Sequence, residues 1–196
     1  MLALAGVLAI GILAGCNNSS TSSTTTPPVP TGSTAKAAYA VAVSTLSTAA
    51  PDGKLLVAQT TKPLTATSTP VWEFLIGSPK TDVIWAVVVM NGKGQFQEYS
   101  KAGLNASEWA KVPPASDWKI DSDVAIANAR KIYPNGKDAA YVPGFVTFVP
   151  PQATDASKIT QMKWLINFDP ASKGSAATST VEVDMKTGDA ALATAK

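Results

Sequence analysis

Residues 83–94 read VIWAVVVMNGKG, an apolar run that ends in an Asn-Gly pair followed by a second glycine. The run is rich in β-branched residues and almost continuously apolar, which predicts a strand that is covered on both faces or central in its sheet. Asn91-Gly92 readily adopts the positive φ angles that tight hairpins require. We therefore predict that residues 95–99 return as an antiparallel partner strand.

Two helical patterns and several shorter strand-like runs surround this hairpin. The first helix is predicted over residues 35–50, with Tyr39, Val43 and Leu46 on one face and Thr34 as its cap. Further strands are predicted over residues 55–59, 71–76, 140–149, 161–168 and 178–184, and a short strand or frayed end over 190–195. The strands outnumber the helices, and the hairpin makes an antiparallel sheet the natural arrangement.

The second long helix is predicted over residues 122–133. Asp121 precedes it as a good N-cap, and Ala125, Ala129 and Ile132 share one stripe. A further helical turn or two over residues 104–111 would be capped by Asn105, and Pro113-Pro114 follows as a connection.

The two halves of the chain follow the same order of helix, strand, loop, strand, strand and glycine-containing turn. Trp72 recurs as Trp164, and the turn at Gly94 recurs at Gly188, with nearly the same offset. We interpret this as an internal duplication of a helix that packs on a small antiparallel sheet. The predicted fold class is therefore α+β, with one unit over residues 35–112 and a second over residues 113–196 that share an interface.

Three short motifs in the second half resemble the PepSY-type domain. They are WKIDSDVA at 118–125, where a capped helix begins, WLINF at 164–168, and VEVDMKTGD at 181–189. The resemblance implies a PepSY- or cystatin-like unit in exported proteins that bind or inhibit other proteins. The tandem arrangement is also similar in architecture to the beta-lactamase inhibitor protein. The family has no catalytic residues to transfer.

The N-terminal segment resembles the signal peptide of bacterial lipoproteins. Residues 1–15 are apolar and uncharged, and LAGC at 13–16 matches the lipobox, which implies lipidation at Cys16. No Lys or Arg precedes Cys16, which points to a start upstream of Met1 or a clipped gene model. The other interpretations are an ordinary secretory signal or a buried N-terminal segment. Residues 16–34 are rich in Ser, Thr and Pro and predict a disordered linker.

Composition excludes several classes of site. The chain contains no histidine and one cysteine, so a Ser-His-Asp triad, a histidine metal site and an internal disulfide are all impossible. The formal charge of +2 lacks the basic excess that nucleic-acid binding needs. Asp121 and Asp123 could ligate calcium, but helix capping accounts for both. We expect no cofactor, no metal and no enzymatic activity.

Two tryptophans flank the connection between the predicted units. Trp109 and Trp118 either cover the interface between the units or form an exposed binding patch. The leading hypothesis is a lipid-anchored protein of the bacterial cell envelope, facing outside the cytoplasm, that binds or inhibits a protein or peptide through sheet edges or a sheet face. The alternatives are a structural envelope lipoprotein and a hydrolase that uses facing carboxylates.

Overall fold

The computed structural model describes residues 34–61, 64, 69–133, 141–148, 162–170 and 179–193. The predicted signal peptide, the linker up to residue 33 and Cys16 lie outside these described residues. The helices are α1 (Ala35–Leu46), α2 (Ala106–Lys111) and α3 (Ser122–Ile132), with a short 3₁₀ turn at Ala115–Asp117. The strands are β1 (Lys54–Thr60), β2 (Trp72–Ser78), β3 (Val83–Met90), β4 (Lys93–Lys101), β5 (Tyr141–Phe148), β6 (Lys163–Pro170), β7 (Ser179–Asp184) and β8 (Ala190–Leu192).

All eight strands form one antiparallel sheet in the order β4-β3-β2-β1-β5-β6-β7-β8. Each half of the chain supplies a meander of four strands, and β1 pairs with β5 where the meanders meet. The α+β prediction, with a helix before an antiparallel sheet in each half, is confirmed. The predicted unit boundaries stay a prediction.

The strand registers match in the two halves. Trp72 pairs with Val89, and Trp164 pairs with Val183. One step further along the strands, Phe74 pairs with Val87 as Ile166 pairs with Val181. The side chains named in these pairs are all buried. The two halves of the sheet therefore present buried residues to the helices at equivalent positions.

Helices α1 and α3 cover one face of the sheet. Alternate residues of β2 point towards them, because Trp72, Phe74 and Ile76 are buried in the same cluster as the buried residues of both helices. The buried positions of α1 are mostly alanines, Ala35, Ala38 and Ala42, with Leu46 at the end. Small side chains let the helix backbone approach the large aromatic rings closely, so the bulk of the core comes from the sheet.

Two predicted core positions are wrong for this reason. Val43 is 45% exposed and Ile132 is 38% exposed. Helical spacing correctly placed Leu46, Ala125 and Ala129 in the core, but the stripe that faces the sheet is centred on the alanines, so that Val43 and Ile132 lie at its margin.

The N-termini of α1 and α3 meet within the helix layer. The backbone N–H of Ala35 donates to Ser122 Oγ at 3.0 Å, and that of Lys36 donates to Asp121 Oδ1 at 3.0 Å. Asp121 also accepts from the backbone N–H of Ser122 at 2.7 Å, so one carboxylate serves both helix ends. The predicted cap at Asp121 is confirmed, and it links the two halves as well.

Helix α2 lies on the other face of the sheet. Its Trp109 is buried with Leu56 and Val112, against the partly buried Leu75 and Ile84. A capping box between Asn105 and Glu108 fixes the start of α2, as predicted for Asn105. Only one end of this face is therefore covered by a helix in the first half.

Candidate binding face

The open face is the side of β1–β4 that α2 leaves uncovered, and it carries a row of side chains across four strands. In the register, Gln59 lies opposite Glu73, Glu73 opposite Val88, and Val88 opposite Gln95. Directly opposed residues on neighbouring strands share a face. Val88 is 38% exposed, while Glu73 and Gln59 are half-buried. The open face thus combines an apolar side chain with a carboxylate and amides.

A shallow groove of about 230 Å³ runs over this row, lined by Glu73, Ala86, Val88, Gln95, Phe96 and Gln97. Ala86 forms the low point, because its neighbours across the strands are the longer Leu75 and Gln97. A methyl group between longer side chains leaves a depression in an otherwise flat sheet. The groove has room for one extended side chain and not for a drug-sized ligand, which would need at least roughly 300 Å³.

Glu73 is the charged group of the groove. Gln59 Nε2 donates a hydrogen bond to Glu73 Oε2 at 2.7 Å. No Lys or Arg forms an ion pair with Glu73 among the residues that the structure describes. Among the described residues, the carboxylate is therefore held in position by a neutral amide and not by a cation.

The second half carries the same sheet face onward, and polar groups of its described residues pair with one another there. The register shows the continuity, because Ala58 pairs with residue 148, which pairs in turn with Trp164 on the helix side. On the side of the sheet that faces away from α1 and α3, Lys163 Nζ forms an ion pair with Glu182 Oε2 at 2.9 Å. The Thr180 hydroxyl donates to Asn167 Oδ1 at 2.6 Å. Among the described residues, Glu182 is thus paired with a cation, whereas Glu73 is not.

The two tryptophans singled out from the sequence do not lie on this face as exposed rings. Trp109 is 4% exposed and Trp118 is 2% exposed, so the structure does not present either indole to a partner. The suggestion of an exposed patch formed by Trp109 and Trp118 is corrected by this burial. Trp118 is buried in the core between the sheet and the alanine-rich helices, and Trp109 is buried in the smaller cluster between α2 and the other face of the sheet.

Trp118 does cover the junction between the halves, which was the other interpretation. Its ring centroid lies 5.7 Å from that of Tyr39 on α1 and 5.5 Å from that of Trp164 on β6. The indole N–H groups of Trp118 and Trp164 both donate to the carbonyl of Ile120, at 2.8 and 2.9 Å. Trp109, in contrast, packs inside the first half.

Sequence reasoning missed Glu73, Val88, Gln95 and Gln97 as surface neighbours. The alternation of residues 95–99 alone does not identify which face of this strand is buried. The signal was present in the turn, because a two-residue loop at Asn91-Gly92 pairs Met90 with Lys93 and therefore Val88 with Gln95. Counting outward from the turn identifies the polar row.

Groups with a shifted pKa lie away from the residues that line the groove. Burial acts to raise the pKa of Asp184, but hydrogen bonds from the backbone N–H groups of Thr187 and Lys186 outweigh it and hold the pKa below its usual value. The pKa of Asp52 is also lowered, because bonds from Ser78 and Lys80 exceed the effect of burial. Burial lowers the pKa of Arg130.

The described part of the chain offers few groups for other chemistry. It contains no cluster of three or more Cys, Asp or Glu side chains that could hold a metal ion. Its helices are all too short or too polar to cross a bilayer. Arg130 is 6% exposed, and its Nε and Nη1 atoms have no hydrogen-bond partner among the described residues.

No protein-family model, curated protein or solved structure matches this chain.

Proposed function

We propose that this protein is a lipid-anchored, extracytoplasmic binding protein of the bacterial cell envelope that takes a protein or peptide partner on the open face of its sheet. The observation that carries the proposal is the uncovered groove over Glu73, Val88 and Gln97, set on a rigid sheet whose other face is filled by aromatic core residues. Rigid strands hold a binding surface in one geometry, which lowers the entropic cost of association.

The PepSY-like character of the units remains part of this proposal. The supporting observations are the capped helix at Asp121, the strand that begins around Trp164 and the turn at Gly188, each in the order that the resemblance implies. Tandem units of that kind place a continuous antiparallel sheet opposite two helices. Such a sheet face is a suitable platform for a partner protein.

The entry point of the chain is compatible with an anchor. Thr34 caps α1, and the start of α1 lies in the helix layer beside Asp121 and Ser122. The segment that carries Cys16 therefore joins the folded domain on the side opposite the open face. An anchored domain could present the open face to a partner without obstruction from its own attachment.

Two experiments test the proposal. Mass spectrometry of the protein from its native membrane should show a lipid on Cys16, and Cys16→Ser should release the protein from the membrane fraction. A photo-crosslinking amino acid at Gln97 should give a discrete adduct in intact envelopes, whereas the same group at Lys131 on α3 should give none. Equal labelling from both positions, or from neither, would contradict a binding role for the open face.

The structural-lipoprotein alternative predicts no adduct from either position. The hydrolase alternative needs facing carboxyls with raised pKa values. Among the described residues, the two carboxyl groups with a shifted pKa, Asp52 and Asp184, are both shifted downwards. We therefore place the binding role first.

A further inference from the structure

We infer that the groove of the open face receives a lysine or arginine side chain from an extended segment of the partner protein, with Glu73 as its ion-pair acceptor. This inference rests on the proposed function and specifies the chemistry of the partner.

Glu73 and Glu182 are half-buried carboxylates on the side of the sheet that faces away from α1 and α3, one in each half of the chain. Glu182 on β7 is compensated by Lys163 at 2.9 Å. Among the described residues, Glu73 on β2 accepts a hydrogen bond from the neutral amide of Gln59 at 2.7 Å and forms no ion pair. Both carboxylates accept from a neighbouring strand, Glu73 from the residue directly opposite and Glu182 from a residue diagonal to it, and the two donors differ in charge.

The surroundings of Glu73 make the missing cation important. Val88 and Ala86 give the groove an apolar wall and floor, and a bound partner would exclude water from them. A carboxylate that loses water without gaining a donor is strongly unfavourable, so an apolar or acidic segment would be rejected. A cationic side chain replaces the lost hydration with a charge-assisted hydrogen bond.

The amide side chains complete the set of acceptors. Gln95 and Gln97 line the same groove from β4, and both are exposed. Their carbonyl oxygens can accept the N–H groups of a guanidinium or ammonium that Glu73 does not use. The aliphatic part of a lysine or arginine would lie on Val88. The groove thus matches such a side chain along its length.

The test uses the full chain labelled with ¹⁵N and two capped pentapeptides. One carries a single arginine between leucines, and the other carries the neutral isostere citrulline at that position. The arginine peptide should shift the amide signals of Val88, Gln95 and Gln97 saturably, and citrulline should weaken binding at least about tenfold. Glu73→Gln should remove the difference between the peptides. The variant keeps an oxygen acceptor for Gln59, so its fold should be retained.

Glu182→Gln is the matched control, because it also removes a carboxylate from this face, and it should leave the preference for arginine unchanged. The inference is overturned if both peptides bind equally, if no saturable shift occurs on the groove amides at millimolar peptide, or if Glu182→Gln has the larger effect. Crosslinking from position 97 in the Glu73→Gln background separates the two proposals. An unchanged adduct would leave the binding role standing while the cationic side chain is rejected.

Discussion

The indole rings of Trp72 and Trp164 pack against each other with their centroids 6.3 Å apart and their planes tilted by 58°. The two residues occupy equivalent register positions in β2 and β6, opposite Val89 and Val183. The ring centroid of Trp118 lies 5.5 Å from that of Trp164. The residue that repeats most clearly in the sequence therefore lies at the contact between the halves.

Because the halves share this aromatic contact, we expect them to unfold together. Trp164→Ala should lower the free energy of unfolding by about 3–5 kcal/mol, as for other buried tryptophans cut to alanine. Tyr99→Ala, at a position that is 63% exposed, should change it by less than about 0.5 kcal/mol. Urea titrations followed by circular dichroism and by tryptophan fluorescence should give coincident single transitions. Two separated transitions in the unmodified protein would show that each half is stable alone.

A second prediction concerns Gly77, where a side chain would collide with Trp109. A Cβ at this position would overlap the Trp109 ring and approach Leu56 Cδ1. Gly77→Ala should therefore destabilise the protein by about 1–3 kcal/mol through overpacking. Trp109→Leu should lower the free energy of unfolding less in the Gly77→Ala background than in the unmodified protein. The leucine side chain is smaller than the indole and relieves the overlap with the new Cβ. Additive effects in the thermal unfolding of the four proteins would contradict this contact.

The sequence predicted the elements better than it predicted their surfaces. The Asn91-Gly92 turn, the cap at Asp121 and the strand over 83–90 follow from local backbone preferences, which the tertiary structure did not override. Gly77 directly follows the strand predicted over residues 71–76, and the sequence pattern assigns it no contact. Its contact with Trp109 joins residues that are distant in the chain, and no local pattern encodes that approach.

The candidate site shows the same limit. The burial of Trp118 depends on how closely the alanine-rich helices α1 and α3 approach the sheet, and that of Trp109 depends on the packing of α2 against the other face. The charge of Glu73 stands out only because Glu182 is paired and Glu73 is not. The turn register places Glu73 and Gln95 on one face, but a comparison of ion pairs requires coordinates.

The pH dependence of stability should reflect Asp184. Its pKa in the folded protein is lowered, because the backbone N–H groups of Lys186 and Thr187 donate to it at 2.7 and 2.8 Å and outweigh burial. A lowered folded pKa gives a stabilisation that is complete above the unfolded pKa of about 3.9 and is lost as the pH falls through the folded value. Asp184→Asn should therefore be less stable than the unmodified protein at pH 7, with a gap that narrows below about pH 4. Urea titrations at several pH values between about 2.5 and 7 measure the difference in the free energy of unfolding between the two proteins. A difference that widens in acid would contradict the assignment.

The last prediction concerns the edge of the sheet. β4 lies at the end of the strand order, and no described strand pairs with its outer side. The strand is long and mostly exposed, with Phe96 and Tyr99 at 45% and 63% exposure, which are properties that favour association between edges. Lys93 and Lys101 stand at its two ends and are both exposed. Antiparallel pairing of two copies along β4 would bring Lys93 of one copy near Lys101 of the other, so like charges oppose the contact.

Replacement of both lysines by threonine should therefore promote self-association. We expect Lys93→Thr with Lys101→Thr to form dimers or larger species as the concentration rises, measured by size-exclusion chromatography with light scattering. Lys80→Thr with Lys119→Thr removes the same charge from exposed positions outside β4 and is the matched control. If both double variants associate equally, net charge alone keeps the protein apart. If only the β4 variant associates, and the difference between it and the unmodified protein is largest at low salt, where charge repulsion is least screened, the two lysines protect this edge.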